Sequence, residues 1–270
     1  MASKIPTFSH LHTHSHYSLL EALPKIPDLV KKAKLSGMSS LALTDSGNLY
    51  GAIEFYKECK EHDIKPIIGV DFYVALNSRH DKEARIDNER TRLVLLAENN
   101  IGYQNLLKLV TASFLEGFYY KPRIDRELLE KYNEGLIAIA KEDKYYREIF
   151  KENYFYLEKE LAIYDVHYLE PEDRPALNTV LAIQNTFDRT STLDENADLS
   201  FRLPEDVKSD YQHLPEAIEK TIEIAKRCNV ELELGKWVFP NYISENGKSY
   251  DDELKSIVYA GLKEKGLVET

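Results

Sequence analysis

The sequence predicts an α/β fold in which βα units close into a barrel, on three observations. Up to about residue 184, short aliphatic and β-branched runs alternate with stretches of helical period, the pattern of strands joined by crossover helices. Seven such runs can be counted, which suits a barrel better than a sandwich. A chain of 270 residues suffices for one large core, since α/β barrels of this length commonly fold as a single unit.

In chain order the strand-like runs are Phe8 to His14, Ser39 to Thr44, Pro66 to Ala75, Thr91 to Ala97, Leu136 to Ala140, Tyr154 to Leu157 and Leu161 to Tyr164. Amphipathic helices lie between them. Ile26, Leu29, Val30 and Ala33 form an apolar stripe in Ile26 to Leu35, and Ala52, Ile53, Phe55 and Tyr56 form one in Leu49 to Glu61. The stretch Asn77 to Arg92 is polar and charge-mixed, so it reads as an exposed, mobile loop. From about residue 185 the alternation loosens into a segment rich in Asp, Ser, Thr and Pro. A helix then enters after Pro215, followed by an extended Pro-containing segment and a final helix. One junction is short: YFYLE and LAIYD both read as buried strands, yet only Lys159 and Glu160 separate them well. Parallel neighbours need a crossover of about a dozen residues or more. The two runs therefore form a hairpin, are one long strand, or flank a stretch that this chain lacks, and the last is the reading adopted.

Composition narrows the function classes. The formal net charge is −11, so there is no global Lys/Arg excess of the kind that binds nucleic acid unaided. Cys59 and Cys228 lie far apart and fit neither a disulfide framework nor a CxxC metal site, which points to a reducing cytoplasm. The opening MASKIPTF lacks the apolar core of a signal peptide, and runs such as LVLLA and LIAIA are far too short to span a bilayer. Neither export nor a membrane is expected.

The residues able to carry chemistry concentrate at the start. HLHTHSH places His10, His12, His14 and His16 at alternate positions, and an extended backbone would put all four imidazoles on one face. Such a face can offer two nitrogens to one transition-metal ion, or be a hydrogen-bonded strand end without one. Acidic groups recur near strand ends as Asp45, Asp71 and Asp165, the last followed by His167. An isolated Asp there is either a helix N-cap or a ligand. Asp45, before Ser46-Gly47-Asn48 and a helix, is read as a cap. Asp165 and His167 repeat the alternate spacing and are read as ligands.

HLHTHSHYSLLEAL, LALTDSGNLYGAIEFYKECKEHDIKPIIGVDFYVA, NNIGYQNLLKLVTASFLEGFYYKPRID and DVHYLEPED together resemble the PHP (polymerase and histidinol phosphatase) domain. The likeness is specifically to those at the amino terminus of bacterial DNA polymerase III alpha subunits. It runs over nearly the whole chain. It implies a distorted seven-stranded βα barrel of PHP type, with a C-terminal helical and extended extension. It also implies a layout of 1–184 for the barrel, 185–235 for its C-terminal part, and 236–270 for an exit segment and first helix towards the polymerase palm. The chain would thus stop at the threshold of the catalytic core.

In that family the strand ends hold up to three divalent ions. Carried over by position, His12, His14, Asp165 and His167 keep the family ligand, while Glu21 and Asp71 keep a carboxylate of altered length. Ser46 and Arg92 stand where the family has histidines, and its cysteine is missing from Ala140, Lys141 and Glu142. Hydrolysis with two ions needs them bridged about 3.5 to 4 Å apart. A fixed guanidinium at Arg92 would repel ions and pair with Asp71 or Asp165 instead. The resemblance therefore implies a scaffold and protein-binding domain whose site is a salt-bridged remnant. It would hold no metal, or a single zinc or manganese ion at low occupancy through His12, His14 and a carboxylate. The partners implied are the rest of the polymerase alpha subunit and a proofreading exonuclease subunit, with DNA reached only through the missing polymerase domains. The rival readings are a metal-dependent 3′ to 5′ exonuclease or phosphoesterase using a metal-bound hydroxide, and a free-standing small-molecule phosphatase.

Overall fold

The structure is a computed structural model that describes residues 8–267 apart from 85, 142, 158, 188–196, 238, 240–243 and 245–246, and describes no side chains at 185–187. The expectations for residues 1–7, for Glu142 and Glu158, for the start of the loosened segment and for most of the extended segment before the last helix lie outside the described residues. The chain divides into two compact units, Met1–Glu231 and Leu232–Thr270.

In the first unit the elements are α1 (Ile26–Leu35), β1 (Ser40–Leu43), α2 (Ala52–Glu61), β2 (Lys65–Ala75), β3 (Arg90–Ala97), α3 (Asn100–Leu115), β4 (Phe118–Tyr119), β5 (Lys121–Ile124), α4 (Arg126–Tyr132), β6 (Leu136–Ala140), α5 (Lys144–Phe150), β7 (Tyr154–Tyr156), α6 (Arg174–Phe187), α7 (Pro204–Asp210) and α8 (Pro215–Arg227). Helix α1 buries the stripe its spacing predicts. In α2 the buried positions are Ala52, Phe55, Tyr56 and Cys59, whereas Ile53, expected in the stripe, faces solvent. The i, i+3, i+4, i+7 rule selects Cys59 because it lies one turn beyond Phe55.

The sheet is mixed, not parallel. β1 and β5 pair with β2, and β7 with β6, in parallel, while β2–β3, β3–β6 and β4–β5 are antiparallel. The reason lies in the polar stretch before β3. It has no helical period and supplies no crossover helix, so β2 and β3 form a hairpin. Two expected strands are not strands. Phe8 to His14 is extended, its His10 and Thr13 carbonyls accepting from the Ala42 and Thr44 N–H groups, but its sole described bridge is Thr13 to Val166. Leu161 to Tyr164 is irregular, with Leu161 and Ala162 buried and the Ala162 N–H bonded to Ala217. Neither a hairpin nor one long strand therefore follows Tyr154–Tyr156. The short β4 and β5 take the places of the two lost strands in the count of seven.

Two of the apolar clusters among the described residues pack the helices and extended segments of this unit. One packs α1 and α2 against β1, through Ile26, Leu29, Phe55 and Leu41. The other takes Leu11, Ala42, Ile67, Val94, Leu96, Ile137, Ile139, Phe155 and Leu161 from successive extended segments and closes over them with Ile224 and Cys228.

The loop before β3 is mostly exposed, as its composition predicts, but it is anchored from inside by two buried arginines. Arg79 is buried and pairs with Asp125 (3.0 Å), Glu116 (2.7 Å) and Glu127 (3.1 Å). Arg123 is fully buried and donates to four carbonyls, those of Gly117 (3.1 Å), Asp87 (2.6 Å), Arg79 (3.0 Å) and Asp81 (2.7 Å). Polar composition marks solvent contact only when the polar groups have no interior partner. In the second unit, α9 (Tyr250–Glu264) is the expected final helix, capped by Ser249. No described helix is long and apolar enough to cross a membrane.

Arg123→Met is expected to strip those carbonyls of their donor. It should cost at least about 3 kcal/mol in urea unfolding and open residues 77–89 to proteolysis. Unchanged melting and cleavage would show that the loop needs no anchor.

Candidate metal centre

The four alternating histidines do not share a face. His10 turns into an aromatic nest, its ring centroid 4.8 Å from Phe8 and 4.4 Å from Phe201, and its Nε2 donates to the Arg202 carbonyl at 2.9 Å. His16 is exposed beside Tyr17. The period of two is enforced only where a ladder pins the backbone, and after Thr13 the chain leaves the strand direction for a turn, the Ser18 N–H bonding the Ser15 carbonyl.

His12 and His14 remain together, and Asp165 and His167 come to them on the segment bridged at Val166. Asp165 Oδ1 is the point of convergence, 2.8 Å from His167 Nε2, 3.0 Å from His14 Nε2 and 3.5 Å from His12 Nε2. Asp71 Oδ2 lies 3.3 Å from His12 Nε2. Asp71 sits within β2, not at its end, and its neighbour in space is Ser46, bridged to it in parallel.

The outer hydrogen bonds decide what these nitrogens can do. His167 Nδ1 donates to the Glu21 carbonyl at 2.7 Å, which in the neutral ring leaves the Nε2 lone pair towards Asp165. Ser18 donates its hydroxyl to Asp45 at 2.7 Å and so accepts from His14 Nδ1 at 3.0 Å, which leaves His14 Nε2 a lone pair as well. Two imidazole lone pairs thus face one carboxylate oxygen. Asp165 Oδ1 and His167 Nε2 are buried without a hydrogen bond. A cation resolves that arrangement, and the donor set of His12, His14 and Asp165, with ligand atoms all within 4.8 Å of one another, fits a single divalent ion.

Asp45 is therefore no helix cap. Helix α2 begins from Gly51, and Asp45 instead accepts from the Ser15 N–H (2.7 Å), the Ser15 hydroxyl (2.8 Å) and the Ser18 hydroxyl. Burial pushes its carboxyl up to about 6 against these bonds. It is the outer support of His14, the kind of group that orients a ligand.

The other side of the pocket carries side-chain cations. Arg92 lies opposite Tyr73 across β2–β3, donates from Nε to Asp71 Oδ2 at 2.9 Å and from Nη2 to Ser46 Oγ at 2.9 Å, and adds a second bond from Nη2 to Asp71. It pairs with Asp71, not Asp165. Burial alone would raise the Asp71 carboxyl, but Arg92 and His12 hold it down at about 2. Burial lowers the His14 imidazole to about 4, with His167 adding to the effect, whereas Asp165 and Asp71 raise His12 in spite of its burial. Glu21 stands apart from the imidazoles. Its Oε1 accepts from Lys121, Tyr73 and Gln184, each at 2.8 Å, and Arg92 Nη1 is 3.9 Å from Oε2. Sequence reasoning missed Ser18, Tyr73, Lys121 and Gln184. A lysine at the head of KPRID is a usable signal only once Glu21 is known to face it. His12, Asp71, Arg92 and Asp165 line a cleft of about 530 Å³ whose rim includes Lys141 and Asp143.

A family model described as PHP domain matches residues 10–236. The chain is 36% identical over 307 positions to the DNA polymerase III subunit alpha of Borreliella burgdorferi, covering 95% of this chain and 27% of that protein. It is 34% identical over 321 positions to the subunit of the same description from Aquifex aeolicus, covering 96% and 28%. The chain spans about a quarter of the length of these curated relatives. Both aligned lengths exceed its own 270 residues, so the relatives hold residues that it lacks. Among solved structures, an amidohydrolase from Chromobacterium violaceum aligns over 39% of this chain and 32% of its own at 20% identity with a TM-score of 0.29, too slight a likeness to carry an argument.

His10 gives the site segment a pH dependence. Burial pushes its imidazole down from 6.5 to about 4, with the Arg202 bond opposing the shift. The folded chain keeps it neutral while the unfolded chain protonates below about 6.5, so stability falls as pH drops from about 6.5 to about 4. His10→Gln keeps an N–H donor and should remove roughly 3 kcal/mol of that dependence, read as a shallower decline of Tm over the window. Parallel slopes in variant and wild type would show that His10 is not its source.

Proposed function

The chain belongs to the PHP domain family, and from that premise we propose that it is the PHP part of a DNA polymerase III alpha-type subunit, serving as a scaffold and protein-binding domain. Its hydrolase site is reduced to at most one divalent ion, zinc or manganese. The observation that carries this reading is Arg92, whose guanidinium lies on Asp71 and Ser46 where the family pattern calls for metal ligands. With that cation in place, a bridged pair of ions has no room beside Asp71. An ion held by His12, His14 and Asp165, with His167 beside them, would act as a Lewis acid towards a phosphoryl oxygen. The chain's own residues orient its ligands through Ser18, Asp45 and the Glu21 carbonyl.

The same reading takes the extended segments around Leu11, Ala42, Ile67, Leu96, Ile137, Phe155 and Leu161 as the staves of a distorted seven-stranded barrel. Their shared cluster is what a filled barrel interior needs. It assigns 1–184 to the barrel, 185–235 to its completion and 236–270 to the exit towards a polymerase palm. It also takes the junction after Tyr154–Tyr156 as one place where the relatives' extra residues fall. The partners are the remainder of the alpha subunit and a proofreading exonuclease subunit. DNA is bound by other domains, in a cytoplasmic setting, in line with the net charge of −11. A second reading, a metal-dependent 3′ to 5′ exonuclease or phosphoesterase, is favoured by the lone pairs gathered on Asp165 Oδ1.

Elemental analysis of the purified chain, with hydrolysis of a 3′-labelled oligonucleotide and an aryl phosphate, separates the two. At most one zinc or manganese per chain and no EDTA-sensitive hydrolysis is expected. Two or three ions with such hydrolysis would establish the enzyme. Ser46→His with Arg92→His should raise the ion count by one, and no gain would mean the pocket no longer has the family's spacing.

A further inference from the structure

Asp71, Glu21 and Asp165 are not equally supplied with countercharge. Asp71 has Arg92, whereas Asp165 has imidazoles alone within 4.0 Å among the described residues. Glu21 has Lys121 at 2.8 Å, and both side chains are largely buried, 8% and 17% exposed. Glu21 Oε1 takes three donors at 2.8 Å, from Lys121, Tyr73 and Gln184. A carboxylate oxygen offers about two lone pairs, so that oxygen has none left for an ion. Tyr73 connects the two cations: Arg92 Cζ is 4.2 Å and Lys121 Nζ 5.5 Å from its ring centroid, while its hydroxyl donates to Glu21.

The backbone tells the same story. Leu20 has φ 61° and Tyr120 has φ 59°, a left-handed conformation that bulky side chains rarely adopt. Each immediately precedes a member of the Glu21–Lys121 pair. Strain of this kind persists only where the surroundings over-determine it, and what these two turns share is the ion pair they present to each other.

We infer that Lys121 is a second built-in cation, which with Arg92 fills the Glu21–Asp71 half of the pocket and confines any external ion to the His12, His14 and Asp165 half. Lys121 is a positioning residue: it sets how many ions the site accepts and touches no reacting atom. The inference rests on the family reading above, because it takes Glu21 and Asp71 as former ligand positions.

The test measures bound manganese per chain by equilibrium dialysis and elemental analysis, with Tm in manganese and in EDTA, on the whole chain. Wild type is expected to bind at most one ion. Lys121→Met with Arg92→Met is expected to bind one more, with a Tm that rises in manganese and falls in EDTA. Lys121→Arg, which keeps the charge, should behave as wild type. Should the double variant not fold, Lys121→Met alone retains the Arg92–Asp71 pair and should bind manganese about tenfold more tightly than wild type, because a cation has left the ion's neighbourhood. Folded variants that bind no more and no tighter than wild type would overturn the role of Lys121 and leave the scaffold reading standing. So would Lys121→Arg if it gained an ion. Two or three ions in the wild type would overturn both.

Discussion

Carboxylates gathered away from water must be balanced, because an unpaired charge in a low-dielectric interior is far more costly than the bonds around it. In this chain the requirement is met for two of the three. Asp71 and Glu21 are neutralised by Arg92 and Lys121. For Asp165 it is not: the neutral rings of His14 and His167 turn lone pairs, not protons, towards it and add no countercharge. The pocket thus pairs its acids with side-chain cations on one side, where Asp71 Oδ1 is still left without a hydrogen bond, and presents an open ligand set on the other.

That division depends on supports outside the pocket. Asp45 holds Ser18, which fixes His14; the Glu21 backbone carbonyl fixes His167, while the Glu21 side chain faces the opposite half. Glu21 therefore joins the two halves. Moving its turn would disturb an imidazole and an ion pair together, which accounts for a left-handed Leu20 at that point.

The sheet places these groups through pairing geometry. Because β2 and β3 run antiparallel, Tyr73 and Arg92 stand directly opposite each other, and Asp71, two residues before Tyr73, shares their face. Gly47 allows the turn after Ser46 to come close: its φ is 66°, and a Cβ there would lie 2.9 Å from Pro122 and 3.4 Å from the Tyr73 ring. Arg79 and Arg123 then secure the hairpin loop from behind, so that Arg92 rises from a fixed strand.

By itself the sequence determined what local pattern can specify. It located the runs of β2 and β6, the buried stripe of α1, and the alternate His12 and His14, while the place of Arg92 in the site came from the family resemblance. Those are statements about neighbours in the chain, where side-chain period and charge are set by the residues themselves. Tertiary structure decided the rest: that β2 and β3 are a hairpin, that His10 joins an aromatic cluster, that Asp45 braces a histidine, and that Lys121 meets Glu21. Each of these depends on groups far apart in sequence, 100 positions in the case of Lys121 and Glu21. No periodicity encodes such a meeting, because it is settled only when packing fixes which strand lies beside which.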